Sequence, residues 1–240
     1  MKKLIFLLIS ILFLIAVFCG CGAPTPAAVS ADPSGTSAPT AGKTADVEEN
    51  HSIYGVLEGD QYVNRALKFT AQIPDGWLFA SAEEIRELTG QVDELIEGVV
   101  DMKSNTTVTL MICSQYKLDP NGPPNPNVNI AYSNQSSVLQ ILSDAAAFEE
   151  MIQQLEASYS EMYTKIYPDA VVSTTGEQNV LINGKEYAVT NTQTVVGDIA
   201  MNQDQYFTQL EGGALTITAT YYDEAGKGVL DEFVNNLVYE

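Results

Sequence analysis

This chain has almost no histidine, little cysteine, one tryptophan and few basic residues. Its 240 residues include one His, three Cys, one Trp and eleven Lys or Arg, against 31 Asp or Glu. The shortage of histidine speaks against nucleophilic catalysis, because a Ser-His-Asp or Cys-His centre needs an imidazole held within hydrogen-bond reach of its nucleophile. His51 lies in a polar, Pro- and Ala-rich stretch where nothing orients it. Transition-metal sites built on several His or Cys ligands are excluded on the same count. No glycine-rich phosphate loop occurs. A formal charge of −20 repels nucleic acid and anionic headgroups, so no nucleic-acid partner and no cofactor is expected.

The cysteines lead to what is present. Met1-Lys2-Lys3 opens a run that is apolar from Leu4 to Phe18 except for Ser10, and it ends at Cys19-Gly20-Cys21. A basic start, a short apolar core and a small residue before a cysteine describe a secretory signal. A run of fifteen residues falls short of the roughly 20 that span hydrocarbon. The segment resembles a bacterial lipoprotein signal, which implies cleavage after residue 20 and lipidation of Cys21. Gly20 fits the position before the acylated cysteine, as Phe18 before Cys19 does not. Phe18 also stands three before Cys21, where an aliphatic residue is commoner. The resemblance implies a protein held by its lipid at the extracytoplasmic face of the cell membrane. Loss of Lys2 and Lys3 with residues 1–20 leaves nine basic residues against 31 acidic ones, a charge of −22. Cys113 is then the only thiol, so no disulfide is expected within the mature domain. Its apolar strand-like context reads as a buried structural residue rather than a reactive one.

Residues 21–52 read as the lipidated Cys21 and a disordered tether, too poor in apolar surface to offset chain entropy. The 31 residues after Cys21 would average about 30 Å end to end as a flexible coil. A single domain is expected over 53–240. Residues 67–73 alternate as a half-buried strand, and Pro74-Asp75-Gly76 turns it into Trp77. Ser81-Ala82-Glu83-Glu84 is a capping box opening a helix to about 89, which Gly90 stops. Strands are expected at 98–103 and 106–115, a long exposed loop at 117–127, and a weak short strand at 128–132. Phe148, Met151, Ile152, Leu155, Tyr159, Met162 and Tyr163 make one apolar helical face over 144–165, capped by Ser143 or Asp144. An antiparallel meander follows, at 170–176, 179–183, 186–196, 199–210 and 214–222. Its turns are Asn183-Gly184, Gly197-Asp198 and Gly212-Gly213. A last helix covers 225–237.

Tyr62-Val63-Asn64-Arg65-Ala66-Leu67-Lys68-Phe69 through Ile73-Pro74-Asp75-Gly76-Trp77 resembles the opening of PsbP-like (Mog1/PsbP fold) domains, as found in lipoproteins of Gram-positive bacteria. Where that family has Leu-Gly this chain has Leu67-Lys68. The resemblance implies an α+β domain with a central antiparallel sheet flanked by helices, an α/β/α sandwich. It brings no catalytic residues with it.

No residue pattern names a reaction. Glu83, Glu84, Glu87, Asp93, Glu94 and Glu97 read as a solvated helical face, and Asp119-Pro-Asn-Gly as a turn rather than a calcium loop. Pro74, Trp77, Tyr159 and Tyr163 read as core, with a pocket beside Trp77 as the alternative. The expectation is a non-enzymatic, membrane-anchored accessory or binding module with an envelope protein partner. A small-ligand or calcium-binding lipoprotein is the second reading, and a hydrolase using paired carboxylates is the third.

Overall fold

The computed structural model describes residues 53–80, 84–85, 107–118 and 123–240. Two antiparallel sheets carry the fold. The smaller has the order β1-β2-β3-β11, the larger β4-β5-β6-β10-β9-β8-β7. In the smaller, β1 (Val56–Glu58) and β2 (Gln61–Asn64) form a hairpin, β3 (Phe69–Gln72) pairs with β2, and β11 (Val238–Tyr239) pairs with β3. The larger holds β4 (Leu78–Phe79), β5 (Thr107–Ser114), β6 (Asn127–Ser133), β7 (Val171–Ile182), β8 (Lys185–Val196), β9 (Ile199–Leu210) and β10 (Gly213–Tyr221). Helices α1 (Ser136–Ser143) and α2 (Ala145–Ile166) lie between β6 and β7, and α3 (Glu224–Asn235) precedes β11.

Five of the six residues expected in the meander's turns fall in turns. Asn183 and Gly184 both take positive φ, 52° and 77°, the twist that a tight hairpin needs. The exception is at the β9–β10 turn, which uses Glu211 and Gly212, with Gly213 already the first residue of β10. The strands expected at 170–176 and 179–183 are one strand. A bulge between Glu177 and Val180, with Asn179 at φ 60°, takes up the irregularity.

The α2 helix is capped by Asp144 rather than Ser143, whose residue ends α1. The Asp144 carboxylate accepts from the N–H groups of Ala146 (2.9 Å) and Ala147 (3.3 Å). Its inward side chains Phe148, Met151, Leu155, Tyr159 and Tyr163 are all buried, with α1, against Ala188, Met201, Phe207 and Ala214 of the sheet. On the opposite face of the sheet, Leu230, Phe233 and Val234 of α3 pack with Tyr62 and Phe69 of the small sheet. Helices therefore cover both faces, as the sequence implies. The plain α/β/α description needs correction, because one outer layer is half sheet: β11 closes the small sheet onto β3 where a helix alone was expected.

Three more expectations change. The weak strand at 128–132 is the seven-residue β6, interior to the large sheet and paired to both β5 and β10. The loop over 117–127 is not exposed throughout. Asn125 and Pro126 are buried, and the Asn125 side chain brackets the backbone of Tyr116 with bonds of 3.0 and 2.9 Å. Leu67 and Lys68 belong to a turn rather than to the strand that follows. The buried Asn64 carboxamide holds that turn, accepting from Leu67 N–H at 2.9 Å and donating to the Ile53 carbonyl at 2.8 Å.

The alternation of β10 is real, yet Thr216, Thr218 and Thr220 are buried too, at 0–3% exposure. As the middle strand of seven, β10 is covered on both faces. Its polar face joins a lateral row of hydroxyl and amide groups. Gln203 donates to Thr220 (3.2 Å), Thr190 to Gln205 (3.4 Å), and the hydroxyls of Thr174 and Thr192 meet at 3.1 Å. Such bonds offset part of the desolvation of these groups.

The capping box at Ser81–Glu84, its helix to 89 and the strand at 98–103 lie outside the described residues, except that Glu84 and Ile85 are helical.

Candidate functional site

A groove of about 760 Å³ opens between the small sheet and α3. Three local structures build it. The β1–β2 turn at Gly59-Asp60 forms one wall, and it is tied to the end of β3 by the Ile73 N–H, which donates to the Asp60 carbonyl at 2.8 Å. The second wall is the Pro74-Asp75-Gly76 turn, in which Trp77 N–H donates to the Pro74 carbonyl at 3.0 Å. Gly76 sits at φ 74°, the third position of a type II turn, where a side chain would be strained. That geometry brings Trp77 back over the strand end instead of letting the chain run on. The third wall is α3 with its C-cap, presenting Val229, Glu232 and the capping residue Asn236.

The floor is apolar: Ile73 and Phe233 are buried, and Phe79 and Val229 half-buried. Trp77 is half-buried, packed on the core by one side and lining the groove by the other. At the lip, Leu57 and Leu78 are 45% and 49% exposed. Among the described residues, the ionisable ones that line the groove are Asp60, Asp75 and Glu232.

A second polar cluster lies further along the same face of the large sheet. Asp204 of β9 is 7% exposed and sits directly across from Asn191 of β8. The Asn191 amide donates to its carboxylate, and the Tyr221 hydroxyl bonds it as well. Burial pushes the Asp204 carboxyl above the ordinary range, opposed by the Asn191 bond and by the charge of Lys227. Burial, then the Asp204 charge, raises the Tyr221 phenol in turn. Lys227 reaches over from α3, 2.6 Å from Asp231 and 6.0 Å from the Tyr221 ring centre. A hollow of about 510 Å³ beside it is lined by Asn191, Tyr206 and Asp231 but stops short of Asp204. The carboxylate is thus enclosed by its own donors, a polar seat for α3 rather than a base facing a substrate.

The residues singled out in the sequence divide as follows. Tyr159 and Tyr163 are fully buried and stack on each other at 6.2 Å, so they are core. Cys113 is fully buried, and burial drives its thiol pKa far up, which leaves it inert as a nucleophile. Trp77 and Pro74 line the groove. Glu84 is exposed. Cys21, His51, Asp119 and the acids Glu83, Glu87, Asp93, Glu94 and Glu97 lie outside the described residues. Among the described residues no group of three or more His, Cys, Asp or Glu is placed to hold a metal ion, and no helix is long and apolar enough to cross a membrane. Sequence reasoning did not find Leu57, Leu78, Val229 or Glu232. They come from three separate stretches and meet only through the fold.

No family model and no curated protein matches the sequence. One similar solved structure is a protein of unknown function from Pseudomonas aeruginosa, 15% identical, with a TM-score of 0.33, covering 57% of this chain and 85% of its own.

Proposed function

We propose that this protein is a lipid-anchored extracytoplasmic module of the cell envelope, attached through Cys21, whose folded domain binds a partner without catalysis. The domain is a PsbP-like α+β unit elaborated by a second small sheet. The observation that carries the reading is the groove at Trp77, where a solvent-open apolar floor lies under exposed leucines. Large apolar side chains left exposed around a concavity are the mark of a binding surface. The signal-like segment ending at Cys21 and the polar stretch behind it supply the address and the reach.

Two measurements test this. Palmitate labelling of the full chain should be lost in Cys21→Ala, and labelling that persists would remove the anchor. A photo-crosslinking residue at Leu57 or Leu78 should capture one envelope protein reproducibly, whereas the same residue at Gln154 on the exposed side of α2 should not. Equal capture from both positions would sink the groove as the working surface.

A small-molecule ligand is the second reading, favoured by the groove's volume, which lies within the range of small-molecule sites. Thermal-shift screening against metabolites and calcium tests it, since a bound ligand raises the melting temperature by mass action.

A further inference from the structure

The groove has a chemical bias that narrows its partner. Its acidic residues come from three separate elements: Asp60 from the β1–β2 turn, Asp75 from the turn before Trp77, and Glu232 from α3. Among the described residues no Lys or Arg lines it. In a chain this acidic, carboxylates face solvent in many places. What sets these three apart is the exposed apolar surface they surround and the indole among them, whose face attracts cations. An occupant must therefore be apolar along its length and positively charged at one or more points.

The edge of the small sheet adds a direction. Among the described residues, strand β1 is hydrogen-bonded to β2 alone. Glu58 and Gln61 flank a two-residue turn and so form the hydrogen-bonded pair of that hairpin, which aims the N–H and C=O of Leu57 away from β2. All three residues of β1 are exposed. An uncovered edge of this kind is a template for an added strand. Leu57 both borders that edge and lines the groove.

We propose that the groove takes an extended peptide segment of another protein, basic and apolar in alternation, which adds to the free edge of β1 and sets a Lys or Arg side chain against Trp77 among Asp60, Asp75 and Glu232. This rests on the groove being the working surface. The backbone of the segment bonds Leu57, its apolar side chains lie on Val229, Phe233 and Phe79, and its cations meet the acidic rim.

Trp77 is the only tryptophan among twelve tyrosines, so emission excited at the long-wavelength edge, where only indole absorbs, reads this groove. The full-length chain in detergent is titrated with three ten-residue peptides free of Trp and Tyr, in which Val alternates with Lys, Gln or Glu. The Lys peptide should change Trp77 emission saturably, with the Gln peptide weaker and the Glu peptide silent. The double variant Asp75→Asn/Glu232→Gln should weaken the Lys peptide about five- to tenfold, as loss of two exposed charge pairs predicts. Added salt should mimic that loss. Glu149→Gln/Glu150→Gln on α2, in the opposite layer, should change nothing. In hydrogen exchange the Leu57 amide should slow at least tenfold on binding.

Equal affinity for the three peptides would overturn the cationic partner while leaving the groove a binding surface. Binding without protection of Leu57 would overturn strand addition. If an apolar dye bound at Trp77 and no peptide did, the partner class would be wrong and the groove reading would stand. Indifference of Trp77 emission to every ligand would remove both.

Discussion

Gly213 and Gly228 make a paired test of the packing, because the same substitution should have opposite signs at the two sites. A Cβ at Gly213 would lie 2.5 Å from the carbonyl oxygen of Ser133 and 2.6 Å from the Tyr132 ring. The nearest atom is backbone, held in the β6–β10 ladder where Ala214 faces Ser133, so relief requires about an ångström of strand movement. Overpacking of this kind costs about 1–3 kcal/mol. Removing a glycine from a strand returns about 0.5–1 kcal/mol. Gly213→Ala should therefore lose about 1–2 kcal/mol, a fall in Tm of about 2–8 °C for a domain of this size. At Gly228, in the second turn of α3, a Cβ meets nothing within 4 Å. Gly228→Ala should gain about 1 kcal/mol from helix propensity, raising Tm by about 2–4 °C. Thermal unfolding followed by far-UV circular dichroism reads both. A Gly213→Ala variant as stable as the parent would show that β6 and β10 do not approach as closely as described. A Gly228→Ala variant that loses stability would mean that α3 is hemmed in on its outer side, and the groove wall would need redrawing.

The Asp204 carboxyl is raised in the folded state, so the folded protein holds that proton to higher pH than the unfolded chain does. Between the ordinary Asp range, near 3.9, and the raised value, stability should fall as pH rises. Asp204→Asn should flatten that part of a urea-unfolding profile, and parallel profiles for parent and variant would contradict the assignment. Tyr239→Phe removes a 2.6 Å bond and leaves the Tyr187 hydroxyl unmatched in a residue 2% exposed. It should cost about 1–2 kcal/mol by denaturant titration, and no loss would mean that β11 does not seal the small sheet. Lys68 sits at φ 56°, where a side chain is strained, and its contact with Glu211 is exposed at 3.5 Å. Lys68→Gly should raise stability by about 0.5–1 kcal/mol, and a decrease would refute the left-handed conformation.

Much of the fold is legible in the residues because its causes are local. The 3–4 spacing from Phe148 to Tyr163 needs no partner to declare a helix, and α2 appears within a residue or two of its expected ends. Asn183-Gly184 dictates its hairpin by the φ values those residues tolerate. Elements shorter or more polar than this were harder to read. Strands β1 and β2 total seven residues and β11 only two, too short for a period to show. In α1 the run Val138, Leu139, Ile141 and Leu142 is as consistent with a buried strand as with a helix. Asn127 and Asn129 made β6 look weak, although both are fully buried in the middle of a sheet. Burial on both faces is a property of neighbours, and no strand carries it alone.

The sequence by itself determined the chain's charge, its single histidine, the signal-like run ending at Cys21, the capped α2 helix and the meander. Each follows from composition or from spacing within a few residues. Only the tertiary structure decided that Asp144 and not Ser143 caps α2, that the threonine face of β10 is interior, and that Tyr159 and Tyr163 are shut away while Trp77 is not. It alone also assembled the groove. Residues 57–60, 73–79 and 229–236 are separated by as much as 179 positions (57 to 236) and meet because β11 draws the end of α3 back onto β3. A contact between distant segments depends on how whole layers pack, and no local pattern encodes it.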